Sequence, residues 1–278
     1  KVSHRSSKVV DDIIGWLREN YESIFEDGSG AMTVSRGVVH KYLGMKLNYS
    51  TRGQVKITMI PYIDEILNAF DKADPNAKGV KSSAAPDNLF KIDDDCEKVS
   101  QAKAVQFHNI VAKTLYATKR ARLDTCTAIA FLTTRVRAPD KDDWNKLTHL
   151  IKYLHRSRDL PLVLSANGSG IMKWWVDASY GVHHDMKSHT GGVMSLGKGA
   201  VYATSTRQKL VTKSSTEAEL VGVSDVVSQV IWTRHFLEAQ GYKVRDNILY
   251  QDNKSAILLE SNGKASSSKR TKHIKIRY

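Results

Sequence analysis

Ile13, Ile14, Leu17, Tyr21, Ile24 and Phe25 recur at helical spacing across residues 8–25, which predicts an amphipathic helix ended by the turn Asp27-Gly28-Ser29-Gly30. Two hairpin-like segments follow, residues 32–42 and 43–58. In the second, Gln54-Val55-Lys56-Ile57-Thr58-Met59 alternates polar and apolar at the strand period. Pro61 suits the first turn of another helix, with Tyr62, Ile63, Ile66, Leu67 and Phe70 on one face. Over residues 71–95 no period holds, and Pro75, Gly79, Pro86 and the acidic run Asp93-Asp94-Asp95 predict a long loop of the kind that serves as a linker or binding segment. Residues 99–118 are again helical, with Val105, Ile110, Val111 and Leu115 available for one face, and residues 124–137 are expected to continue as a second helix. Helical spacing returns after Pro139, where Trp144, Leu147, Leu150, Ile151 and Leu154 form a stripe that core packing explains.

The stretch Ser165-Ala166-Asn167-Gly168-Ser169-Gly170 is small, polar and glycine-rich, and it predicts a boundary between a domain at 1–170 and another at 171–278. Beyond it the pattern becomes strand, strand, strand, long helix, strand, short helix. The strands are expected at 171–176, at 191–196 and 200–204 around Gly197-Lys198-Gly199, and at 248–252. The long helix opens on the capping-box pattern Ser214-Ser215-Thr216-Glu217 and closes at Gly241, and a short helix covers 253–259. The fold class is therefore α/β, with an α+β N-terminal region.

Composition adds a polyanionic partner: the formal charge is +13 over 278 residues, which favours nucleic acid. Cys96 and Cys126 form no CxxC pattern, so neither a disulfide framework nor a zinc ribbon is indicated, and a reducing compartment is the simplest inference. No apolar run reaches the roughly 20 residues of a bilayer span and no signal-peptide core is present, so a soluble protein is expected.

The candidate chemistry begins at Trp174-Trp175-Val176-Asp177, an apolar strand expected to end in a carboxylate held rigidly yet open to metal and substrate. Two acids of the long helix differ in their surroundings. Glu219 shares a stripe with Val223, Val226, Val227 and Val230, whereas Glu217 shares its face first with Leu220 and Val221 but then with Ser224, Asp225 and Ser228, and reads as a cap near solvent. An acid on a buried stripe costs several kcal/mol unless it is paired or bound to a cation. With Asp252 ending the fourth strand, Asp177, Glu219 and Asp252 point to a divalent site, and Mg²⁺ with hard oxygen ligands implies phosphodiester hydrolysis. His183, His184 and His189 have no zinc-like spacing on a regular element and are placed in the loop after the first strand, near nucleic acid.

Four blocks, Trp174 to Tyr180, Ser214 to Leu220, Tyr250-Gln251-Asp252-Asn253-Lys254-Ser255-Ala256 and Lys269-Arg270-Thr271-Lys272-His273-Ile274, together resemble the ribonuclease H domain of copia-type retrotransposon Pol polyproteins. The preceding segment resembles the C-terminal part of the family's reverse transcriptase. His40-Lys41-Tyr42-Leu43-Gly44-Met45 is similar to its primer grip, and Ala112 to Tyr116 and Phe131 to Val136 are similar to its thumb and connection. The resemblance implies a ribonuclease H-like mixed sheet with flanking helices after a partial palm, thumb and connection. It also implies cleavage of the RNA strand of RNA/DNA hybrids with two Mg²⁺ ions (or Mn²⁺), the remainder of the polyprotein as a partner, and residence in a cytoplasmic virus-like particle or the nucleus. The polymerase's paired-Asp strand is absent, and Asp11-Asp12 open a helix instead, so polymerisation by this chain alone is not expected. Contacts to backbone phosphate are expected from Arg207, Lys209, Lys213, Lys269, Arg270, Lys272 and His273.

One position departs from the family pattern: Lys275 stands where an acid usually supplies a fourth ligand. The expectation is a fourth ligand beyond Tyr278 or a weakened enzyme, and the alternative function is a catalytically impaired nucleic-acid-binding remnant of a retroelement. A transposase or integrase would carry its acids in the order Asp, Asp, Glu, whereas the order here is Asp, Glu, Asp.

Overall fold

A computed structural model describes residues 6–23, 30–76 and 79–262. It divides into two compact units, Lys1–His40 and Lys41–Tyr278.

In the first unit, helix α1 (Ser7–Tyr21) forms over the expected apolar spacing but buries none of its residues. Ile24, Phe25 and the Asp27-Gly28-Ser29 part of the expected turn lie outside the described residues. The predicted hairpin over 32–42 is not formed: residues 31–36 are irregular, and only strand β1 (Val39–Tyr42) appears, with the division between units falling inside it.

The second unit begins with a tight turn at Leu43-Gly44, both at positive φ, leading into β2 (Met45–Asn48) and β3 (Val55–Thr58). These pair antiparallel through Leu47↔Ile57, and β4 (Leu162–Ala166), which the sequence pattern did not predict, adds antiparallel to β3. Helices α2 (Ile60–Ala73), α3 (Gln101–Thr118), α4 (Cys126–Arg135, after a 3₁₀ turn at Leu123–Thr125) and α5 (Lys141–Arg156) build one hydrophobic core. Phe70 stacks on Trp144 at 5.7 Å within it. Periodicity placed these helices because each buries one stripe, and their ends follow the local caps. Asp140 opens α5 with a reciprocal capping box to Asp143, while the Arg135 Nε donates to both Asp143 oxygens at 2.9 Å. The loop expected after α2 is irregular, yet it seats Leu89 and Phe90 against the core.

The Ser165 to Gly170 stretch joins β4 to the next strand, and its first two residues are themselves strand. Ser165 and Ala166 belong to β4, which pairs with β7 (Gly197–Lys198), and Asn167 Oδ1 accepts from the Ser169 N–H at 3.0 Å. Gly199 allows the close approach: its φ is +77° and a Cβ there would lie 2.1 Å from the Val163 carbonyl oxygen.

A second core lies over a mixed four-stranded sheet in the order β8-β6-β5-β9, formed by β5 (Ile171–Ser179), β6 (His189–Ser195), β8 (Tyr202–Arg207) and β9 (Asp246–Tyr250). The first three strands are antiparallel neighbours, and β9 joins β5 parallel. Along β5, Met172, Trp174, Val176 and Ala178 alternate into the core, where α6 (Ser215–Ala239) covers them with Val223, Val226 and Val230. Gly241 at φ +82° ends α6, its N–H reaching Glu238 O and the Tyr242 N–H reaching Leu237 O. Helix α7 (Lys254–Asn262) follows. Among the described residues no helix is long and apolar enough to cross a membrane.

Candidate metal centre

The parallel pair β5/β9 is in register up to Trp175↔Tyr250, whose rings stack at 5.3 Å, and there β9 stops. On its other side β5 stays paired with β6 as far as Ser179↔His189. Asp177 therefore does not end its strand as expected. It lies within β5, opposite Gly191, where the neighbour on the β9 side has already gone. That missing neighbour leaves a notch at the C-terminal ends of two parallel strands, the usual position of sites in such sheets.

Three carboxylates meet in the notch: one oxygen each from Asp177, Glu219 and Asp252 lies within 4.8 Å of the others. Asp177 is exposed on the sheet face away from the core, Glu219 is buried on α6, and Asp252 is exposed just beyond β9. Burial pushes the Glu219 carboxyl up, and the charges of Asp177 and Asp252 push it the same way. Hydrogen bonds from Gln251 and the Ala178 backbone oppose the rise. Three like charges, one of them buried, favour a cation among them. The donor set consists of hard oxygens suited to Mg²⁺ or Mn²⁺, with no sulfur or imidazole among the three.

The other helix acid behaves differently from expectation in one respect. Glu217 does act at the cap, its Oε2 accepting from the Lys213 N–H at 2.7 Å while Ser214 Oγ accepts from the Glu217 N–H at 3.2 Å. It is nevertheless buried, at 6% exposure, because the Lys209-to-Ser214 loop folds back over it. That loop is pinned by residues the sequence reading passed over. Gln208 Nε2 donates to Thr190 Oγ1 and to the Ala218 carbonyl, at 3.0 and 2.8 Å, and Thr212 Oγ1 meets Ser188 Oγ at 3.0 Å.

Arg207, Lys209 and Lys213 are exposed at the end of β8 and on this pinned loop, with Arg207 3.5 Å from Asp185. Lys269, Arg270, Lys272, His273 and Lys275 lie outside the described residues. The three histidines do not form one group. His184 is exposed and pairs with Asp94 at 3.1 Å, whereas His183 is buried in the loop and His189 opens β6, with His183 Nε2 2.9 Å from His189 Nδ1.

The chain is 29% identical over 249 residues to the retrovirus-related Pol polyprotein of transposon TNT 1-94 from Nicotiana tabacum, an alignment covering 87% of this chain and 18% of that polyprotein. The chain is related to copia-type retrotransposon Pol polyproteins. A Pol polyprotein from transposon RE2 of Arabidopsis thaliana is 30% identical over 159 residues, 56% of this chain and 11% of its own length. A putative transposon Ty5-1 protein of Saccharomyces cerevisiae is 24% identical over 204 residues, 70% of this chain and 62% of its own. The chain thus spans only a part, less than a fifth in the plant cases, of these Pol relatives. No family model and no solved structure matches it.

Proposed function

We propose that this Pol-related chain carries a Mg²⁺-dependent ribonuclease H that cleaves the RNA strand of RNA/DNA hybrids. The observation that carries the reading is the convergence of Asp177, Glu219 and Asp252 within 4.8 Å at the end of the β5/β9 ladder. The antiparallel strands β8, β6 and β5 with β9 parallel beside β5, and α6 laid across them, support a ribonuclease H-like sheet. Asp177, Glu219 and Asp252 would hold the metal. A divalent ion held by such acids polarises a phosphodiester and stabilises the charge that develops on its oxygens. The chain's own part is to keep three hard donors fixed, one within β5, one on α6 and one just beyond β9, and to present Arg207, Lys209 and Lys213 to backbone phosphate from the end of β8 and a pinned loop. Those basic groups orient a duplex without reading its sequence, as cleavage of a hybrid requires.

The test is cleavage of an end-labelled RNA/DNA hybrid in Mg²⁺ by the wild-type chain and by Asp252→Asn. Cutting by the wild type, reduced at least about 100-fold in the variant, is the expected result, since a metal-holding acid is removed. If both bind hybrid equally and neither cuts, the chain is a binding module and the enzyme reading fails.

A further inference from the structure

Gln251 lies between the strand that ends at Tyr250 and the acid at Asp252, and both its amide nitrogen and its amide oxygen are engaged. Its Nε2 donates to Glu219 Oε2 at 2.9 Å, and its Oε1 accepts from the Asp252 N–H at 2.7 Å and the Asn253 N–H at 3.1 Å. One side chain thus joins the buried acid of α6 to the backbone that carries the exposed acid, across the notch where no β-ladder remains to do so. The following residue extends the brace, because Asn253 Oδ1 accepts from the Ser255 and Ala256 N–H groups at 3.0 and 3.1 Å and so fixes the start of α7.

We propose that Gln251 is a positioning residue that sets the spacing of Glu219 and Asp252 and thereby the affinity of the site for a divalent cation. The inference rests on the metal-centre reading above. The chemistry of the side chain fits the role. A lysine or arginine at this place would hold Glu219 by neutralising it and would compete with the cation. A carboxamide orients the carboxylate through a neutral donor and leaves all three negative charges to the metal. It also anchors Asp252 through the main chain, so the Asp252 carboxylate itself stays available as a ligand.

The experiment measures Mn²⁺ binding to the full chain by electron paramagnetic resonance, with hybrid cleavage and thermal melting in parallel, for wild type, Gln251→Met and Gln251→Ala. Methionine keeps the volume and removes both hydrogen-bonding functions, and alanine gives a second reading if the methionine variant melts early. The expected result is a Mn²⁺ affinity lowered about 10- to 100-fold in both variants, the range for groups that orient metal ligands, with melting little changed and cleavage restored at high Mn²⁺. Wild-type affinity in a folded Gln251→Met chain overturns the positioning role and leaves the metal reading standing. A wild-type chain that binds no Mn²⁺ overturns both.

Discussion

Acid should destabilise this protein through one buried ring. His189 is 6% exposed at the start of β6, its Nδ1 2.9 Å from His183 Nε2 and its Nε2 2.7 Å from Ser205 Oγ. Phe90 packs against both imidazoles at 4.7 and 4.9 Å, and on the α4 side Ser205 Oγ donates to Thr127 Oγ1. Burial first, and the His183 charge second, push His189 down to about 4, while His183 is lowered by burial and by Arg207, with Asp185 opposing. The folded value lies below the ordinary 6.5, so the folded state favours the neutral ring. The resulting stability is complete above about pH 6.5 and is lost as pH falls from there towards 4. A gap of that size, at about 1.4 kcal/mol per pH unit, corresponds to about 3 kcal/mol, a sizeable share of the stability of a domain. Urea unfolding of wild type and His189→Gln at several pH values between 7.5 and 4.5 measures it, a range that starts about one unit above the window and covers most of it. The variant lacks the titrating ring but keeps an amide for Ser205. The wild type should lose about 2–3 kcal/mol more than the variant across that range. Parallel loss in the two proteins would refute the assignment of this acid sensitivity to His189.

Two glycines test the packing that supports the site. Gly199→Ala should lower stability by more than about 2 kcal/mol in thermal melts, because the new Cβ would meet the Val163 carbonyl oxygen at 2.1 Å in a left-handed backbone conformation. Gly222→Ala should do the reverse and raise stability by about 0.5–1 kcal/mol. There the Cβ would make ordinary contacts with Ala178 Cβ at 3.5 Å and with Thr190 Cγ2 and Val176 Cγ1 at 3.6 Å. An unchanged or lower melting temperature for Gly222→Ala would show that α6 sits tighter on β5 and β6 than these distances allow.

What repeats locally was legible in the chain. The valine stripe of α6 separated Glu219 from Glu217, the Ser214 and Gly241 signals bounded that helix, and the apolar faces of α2, α3 and α5 marked the first core. These are legible because a helix bonds to itself and its burial face recurs within the same few turns. Whatever depended on a distant partner emerged only in the folded chain. Asp177 lies inside its strand and not at its end, because β6 extends to His189 while β9 stops at Tyr250, and a strand's end is set by its neighbours. The pairing of β4 with β7 put Ser165 and Ala166 into a strand, and a returning loop buried Glu217. The Gln251 brace and the paired His183 and His189 were beyond reach for the same reason, since their partners lie far apart in sequence or in loops without a period. The three acids were nameable one by one from the chain. Their meeting within 4.8 Å is a property of the notch that two strands of unequal reach leave beneath a helix.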